Sequence, residues 1–283
     1  MIDFSKHYVI GDETPSREFD AMADGRAKGL IPRDYDEFPQ GFYAAAPAWD
    51  LASLPLVPWD EIPDRIAYME EKKIRLIDMV KAESKFEALD QNGQGYCWFY
   101  SGTAAVMALR IRNNQPYQRL SAHSGAWVIK NGRDQGGWGA QGLDFLKERG
   151  VMPTSIWTEK SMDGGRFNTP ANWVVAAEYR ATEGFVDLNP RQYDRELTVQ
   201  QIITCYLNCI PVISDFNWWG HSVCGLWCYD AYPSKRKNDP SRYAANEILN
   251  SWKKSWGQNG YGILKDSKAF PDGATGPRNA WGN

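Results

Sequence analysis

A single thiol stands where a helix is due to begin. The stretch DQNGQGYCWFYS, residues 90–101, passes from a loop of Gly, Gln and Asn into an apolar segment that opens at Cys97. A cysteine on the first turn of a helix feels the positive end of the helix dipole, which favours the attacking thiolate form. The plain alternative is a small buried hydrophobe, the usual fate of an unpaired cysteine. An attacking thiol also needs a base, and the chain has three histidines. His7 lies in a polar N-terminal stretch. His123 falls in the first turn of a predicted helix and reads as a surface or capping residue. His221 opens an alternating segment directly after Trp218, Trp219 and Gly220. Flanking tryptophans can keep such an imidazole dry, although taken alone it is more readily a core or surface histidine satisfied by backbone.

A proton-transferring imidazole must be held in one orientation. The apolar run EILN ends at Asn250, whose side-chain carbonyl can accept from a ring N–H, and Trp252 can cover that bond. The alternative for Asn250 is a turn residue at a strand end. Gln91, six positions before Cys97, can set its side-chain amide beside the Cys97 backbone N–H as a donor pair for an oxyanion. Nucleophile, base, orienter and anion donors together describe acyl transfer through a thioester.

These residues need elements to position them. Apolar spacing predicts one helix over roughly 63–82 and a buried helix over Cys97–Arg112. Further helices are expected over Ala122–Lys130 with Ser121 as N-cap, over Trp138–Arg149 stopped by Gly150, and over Thr198–Asn208. Strands are expected at Pro211–Ser214, His221–Tyr229, Ala245–Ser251 and Tyr261–Leu264. Helices precede strands, so the fold class is α+β, with a helical lobe, a sheet lobe and a cleft between them. Residues 1–59 read as an extended arm lying over something else, with Phe38, Phe42, Tyr43, Trp49 and Trp59 to dock it. The Gly- and Pro-rich tail Phe270–Asn283 reads as a second arm. The expected division is 1–87 as an N-terminal extension, 88–190 as the helical lobe with the nucleophile, and 191–283 as the sheet lobe with His221, Asn250 and the tail.

Bulk properties narrow the class of partner. The chain has 283 residues and a formal net charge of −3, which argues against nucleic-acid binding. Lys235-Arg236-Lys237 is expected to be a solvated turn. No apolar run is long enough to span a bilayer, and the acidic start lacks a conventional secretion signal. The expectation is an intracellular, cytoplasmic or particle-associated protein without membrane contact. Five cysteines with no C-x-x-C pair argue against a disulfide framework. Cys205 and Cys209 lie one helical turn apart, and Cys224 and Cys228 share a strand face; buried small residues are a better reading of the four than a metal site. No metal or cofactor is expected.

In combination these segments resemble the papain-like cysteine peptidases. DQNGQGYCWFYS is similar to the nucleophile segment of that family, GHSVCGLWCYD to its histidine strand, and NSWKKSWGQNGYGIL to its asparagine segment. His221 lies 124 residues after Cys97 and Asn250 lies 153 after it, close to the roughly 130–150 of the family. The resemblance covers about residues 88–265 and implies a two-lobed papain-like fold. It implies Cys97 as nucleophile, His221 as base and acid, Asn250 as orienter, Gln91 as oxyanion donor and Trp252 as shield. It also implies that Gly136 and Gly137 offer backbone to an extended peptide or protein substrate, with Trp138 along the same wall. The sequence departs from the family in several places. Gln94 stands where a disulfide cysteine is expected, Tyr96 replaces a small residue and would crowd the cleft, and residues 1–87 carry no recognisable pro-segment motif. Two readings stay open: an active peptidase, and a papain-fold structural or interaction protein attached through its N-terminal arm to a larger assembly such as a viral particle, with a weak or silent site. An acyltransferase using an amine in place of water shares the same chemistry.

Overall fold

A computed structural model describes residues 2–19, 27–34, 36–37, 54–182, 185–188 and 195–277. Nine α-helices are found among them: α1 (Ser16–Phe19), α2 (Ile62–Lys72), α3 (Leu76–Ala82), α4 (Cys97–Arg112), α5 (Ala122–Ile129), α6 (Leu143–Glu148), α7 (Gly164–Phe167), α8 (Pro170–Ala176) and α9 (Arg195–Leu207). Seven strands form one sheet: β1 (Val9–Ile10), β2 (Phe185–Asp187), β3 (Val212–Phe216), β4 (His221–Cys228), β5 (Ala245–Leu249), β6 (Tyr261–Lys265) and β7 (Gly273–Pro277). Their order is β1-β6-β5-β4-β3-β7-β2. All neighbours are antiparallel except β1, which runs parallel to β6 at one edge. The mixed α+β architecture matches the expectation.

Helix α4 lies at the centre. Every residue from Cys97 to Arg110 is buried, so the helix has no polar face to give to water. It packs against β3 and β4 on one side and against α3, α5 and a 3-10 turn at Gly139–Gly142 on others. A helix that is apolar all round is stable only with neighbours on every side. Its position therefore fixes where Cys97 can be.

The helix expected over 63–82 is two helices. Lys73 adopts a left-handed conformation at φ 53°, and the chain stops there. The Lys73 N–H donates to the Glu70 carbonyl and the Ile74 N–H to the Met69 carbonyl, the paired bonds of a Schellman stop. Asp78 then accepts from both the backbone and the guanidinium of Arg75 and restarts the chain as α3. Apolar spacing carries through the break, because both helices bury Ile62, Ile66, Leu76, Ile77 and Val80 in one core. Trp138–Arg149 also divides, into the 3-10 turn and α6. Ser121 occupies the N-cap position of α5, yet its hydroxyl makes no capping bond.

The tail is corrected as well. Gly273–Pro277 is no arm but β7, a fully buried strand between β3 and β2. Its Gly-rich sequence carries no strand signal; burial on both sides creates the strand. Residues 278–283 lie outside the described residues, as do Phe38, Phe42, Tyr43 and Trp49. Of the arm aromatics, Trp59 stacks on Tyr243 of the same chain at 5.8 Å.

The left-handed Lys73 gives a stability test. Glycine adopts this conformation without the Cβ penalty, so Lys73→Gly is expected to stabilise the fold by roughly 0.5–1 kcal/mol. Urea unfolding should show a raised midpoint at unchanged slope; an unchanged or lower midpoint contradicts this account of the helix break.

Candidate active site

Two distant backbone stretches meet to build the site. The Gln91 N–H donates to the Ser251 carbonyl at 2.8 Å, and the Lys253 N–H donates to the Leu89 carbonyl at 2.9 Å. Asp90 and Trp252 form an antiparallel bridge between these two bonds. The Ser251 hydroxyl donates to the Gln91 side-chain oxygen, which turns the amide nitrogen outward. The loop before α4 is thereby locked to the segment after β5, bringing Gln91 and Asn250 into one neighbourhood.

His221 begins β4, and its Nε2 lies 2.7 Å from the Asn250 side-chain oxygen. That oxygen also accepts the Ser251 N–H at 2.7 Å. An oxygen acceptor at this distance puts the proton on Nε2 and leaves Nδ1 bare. Nδ1 is buried and has no hydrogen-bond partner. Trp252 stacks over the imidazole at 4.4 Å, and Trp219 meets it edge-on at 4.9 Å. Trp256 completes this apolar cluster, which also takes in Ile10 and Phe19 from the N-terminal region. Burial lowers the His221 pKa to about 3; the bond to Asn250 opposes this only in part. The ring is therefore neutral.

Cys97 sits at the first turn of α4, as expected, and is completely buried. Its thiol faces the backbone N–H of Ser222, the residue after His221. The expectation of a thiolate is not met. Burial drives the thiol pKa up to about 12, against the opposing pull of the Ser222, Trp98 and Cys97 N–H groups. Helix-terminal N–H groups favour a thiolate only where the charge can also be solvated. Burial therefore favours the uncharged form of both Cys97 and His221.

The chain's own arm lies across this neighbourhood. Leu30 forms a parallel bridge with Gly137. The Ile31 N–H donates to the Gly137 carbonyl at 2.7 Å, and the Gly137 N–H donates to the Gly29 carbonyl at 2.9 Å. The Leu30 N–H reaches the carbonyl of Gly220, next to His221. Upstream, the Ala27 carbonyl accepts from the Gln91 amide at 2.9 Å and from the Trp252 indole at 3.1 Å. Gly29 is squeezed at φ +132° between Gly95 and Gly136; a Cβ there would lie 2.2 Å from the Gly95 carbonyl oxygen. Gly137 therefore pairs its backbone with residues 29–31, and Gly136 packs closely against Gly29.

Several residues are not where the sequence put them. Tyr96 does not crowd the cleft: its ring is buried among Trp98 and His123, and its hydroxyl donates to the Arg133 carbonyl at 2.7 Å. His123 is neither surface nor cap. It is buried against α4, with Nδ1 2.7 Å from the Tyr100 hydroxyl, and burial lowers its pKa to about 4. Cys205, Cys224 and Cys228 are buried and unpaired, and no set of three metal-ligating side chains gathers among the described residues. Sequence reasoning missed Arg33, Asp187 and Asp215 beside Trp138. The one available signal was a carboxylate inside the apolar strand VISDF.

No family profile matches the sequence, and no curated protein sequence is significantly similar to it. Solved structures are similar in fold. Xylellain, a cysteine protease from Xylella fastidiosa, superposes with a TM-score of 0.57 at 16% identity, over 92% of this chain and 97% of that one. Digestive procathepsin L 3 of Tenebrio molitor gives 0.51 at 15% identity, over 95% and 79%. Procathepsin B S9 from Trypanosoma congolense gives 0.53 at 12% identity, over 92% and 88%. The chain thus has the fold of the papain-like cysteine proteases.

Proposed function

We propose that this protein is a cysteine peptidase held in a covered state by its own residues 27–33. The observation that carries the reading is the His221–Asn250 bond beneath Trp252, which leaves Nδ1 bare on the strand that faces the start of α4. With the cleft open, His221 Nδ1 takes the Cys97 proton and the sulfur attacks the scissile carbonyl carbon. The anion that forms takes the place now held by the Ala27 carbonyl, beside the Gln91 amide. The C–N bond breaks, and the amine leaves with the proton from His221. Water, deprotonated by the same imidazole, then cleaves the thioester. Asn250 holds the ring plane, and Trp252 shields that bond from water.

The arm supports the covered state because it takes up the groups a substrate would use: the Gly137 backbone and the Gln91 amide. Two of the similar solved structures bear the names of proenzymes, which agrees with this reading.

Gly29 offers a direct test. Its conformation and its contact with Gly95 exclude a side chain, so Gly29→Ala should weaken arm docking by about 1.5–3 kcal/mol. That corresponds to roughly 10–100-fold more open protein and an equal rise in the rate at which an epoxysuccinyl thiol reagent adds to Cys97. Intact mass over time, beside Cys97→Ala, measures it. Equal rates for wild type and Gly29→Ala would remove residues 27–33 as the cover.

The covered state should also depend on pH. His221 titrates near 3 when covered and near its usual 6.5 when solvated, so the open form binds more protons between these values. Covering is complete above about 6.5 and weakens as the pH falls toward 3. The thiol acts in the opposite sense: its raised pKa means that covering weakens as the pH climbs above its usual 9.0 toward 12. Hydrogen exchange at residues 27–33, corrected for intrinsic rates, should show protection greatest near neutrality. Protection that is flat from pH 7 to 4.5 would refute the assignment of His221 as a buried neutral base.

A further inference from the structure

Next to Trp138 lies a small pocket lined by Trp138, Ala140, Ile213, Asp215 and Thr275, with Arg33 of the arm forming part of its wall. The floor is a row of side chains from one sheet face. Ile213 pairs with Thr275, and Thr275 with Asp187, across β3, β7 and β2. Asp215 lies two residues along from Ile213 and so points to the same side. Arg33 forms a fork with Asp187, at 3.2 Å from Nη1 and 2.9 Å from Nη2, and both side chains are almost fully buried.

Asp215 is anchored but not satisfied. One carboxylate oxygen accepts the Gly139 N–H at 2.8 Å. The other is buried with only the Ser222 side chain acting on it, and the Thr275 hydroxyl is buried without a hydrogen-bond partner. Burial pushes the Asp215 pKa up to about 6, with Ser222, Gly139 and Arg33 pulling it down. A buried carboxylate without a counter-charge in contact, a bare hydroxyl and a second carboxylate already bound by a guanidinium form a site for a cation with several donors.

We propose that this pocket is a substrate subsite for a basic side chain, arginine above lysine, and that Arg33 of the arm stands in for it. This inference rests on the peptidase reading given above. A peptide running past Gly137 would bring a side chain to the pocket, where a guanidinium can bond Asp187 as Arg33 does and act on Asp215 through its charge. The planar fork favours arginine, whose bidentate geometry an ammonium cannot copy. An aliphatic side chain would leave both carboxylates buried and unpaired, so the pocket selects by repulsion as well as by attraction.

The test compares three peptidyl epoxysuccinates that differ only in the side chain next to the warhead or one residue further from it: arginine, its neutral isostere citrulline, and leucine. They are applied to the full-length wild type and to full-length Gly29→Ala, and Cys97 labelling is followed by intact mass. The expected result is labelling at least about tenfold faster with arginine than with citrulline or leucine at one of the two positions. Asp215→Asn should reduce that ratio about tenfold or more. The wild-type ratio needs no variant and stands even if Asp215→Asn fails to fold. Labelling by all three reagents at similar rates would overturn the basic subsite and leave the peptidase reading intact. No labelling of either protein by any of them would overturn the peptidase reading, and the subsite with it.

Discussion

The site depends on a junction only a few residues long. Residues 89–91 and 251–253 bond backbone to backbone, and the side chains of Gln91 and Ser251 close the same junction across a separation of 160 residues. Backbone bonds of this kind fix distance and direction together, which side-chain packing alone does not. With the junction made, the loop before α4 is in register with the end of β5. Gln91, Cys97 and Asn250 then inherit their positions, and β4 brings His221 alongside through its pairing with β5. Interrupting the junction would uncouple Gln91 from His221.

Around this junction the protein has removed water almost entirely. Trp219, Trp252 and Trp256 enclose His221 from the sheet side, with Phe19 and Ile10 behind them. The arm closes the remaining side. Desolvation outweighs every local device that would otherwise charge the pair. Helix-terminal N–H groups act on Cys97 and an asparagine carbonyl on His221, and neither overcomes burial. Burial biases both the thiol and the imidazole toward their neutral forms.

Much of this was legible in the sequence, for identifiable reasons. The helix that opens at Cys97 was visible because its residues are largely apolar, and the strand that opens at His221 because its alternation is bounded by glycine and a turn. The groups at the site were visible because their chemistry demands particular residue types. What escaped notice was set by tertiary contact alone. Lys73 breaks a helix that its own apolar spacing would continue. GATGP becomes a buried strand with almost no side chains to announce it. Tyr96 and His123 turn into the core because α5 packs on α4 there. Ala27 to Leu30 carry no motif, since they act through carbonyls and N–H groups that every residue possesses.

The arm is held at both ends. Upstream, Val9 and Ile10 extend the sheet and Phe19 joins the tryptophan cluster. Downstream, the Val57 N–H donates to Thr204 and Trp59 stacks on Tyr243. Residues 27–33 are therefore a strap buckled on two sides, not a plug on a string. A segment anchored on both sides still faces the cleft at an effective concentration of about millimolar when one anchor lets go, however dilute the protein.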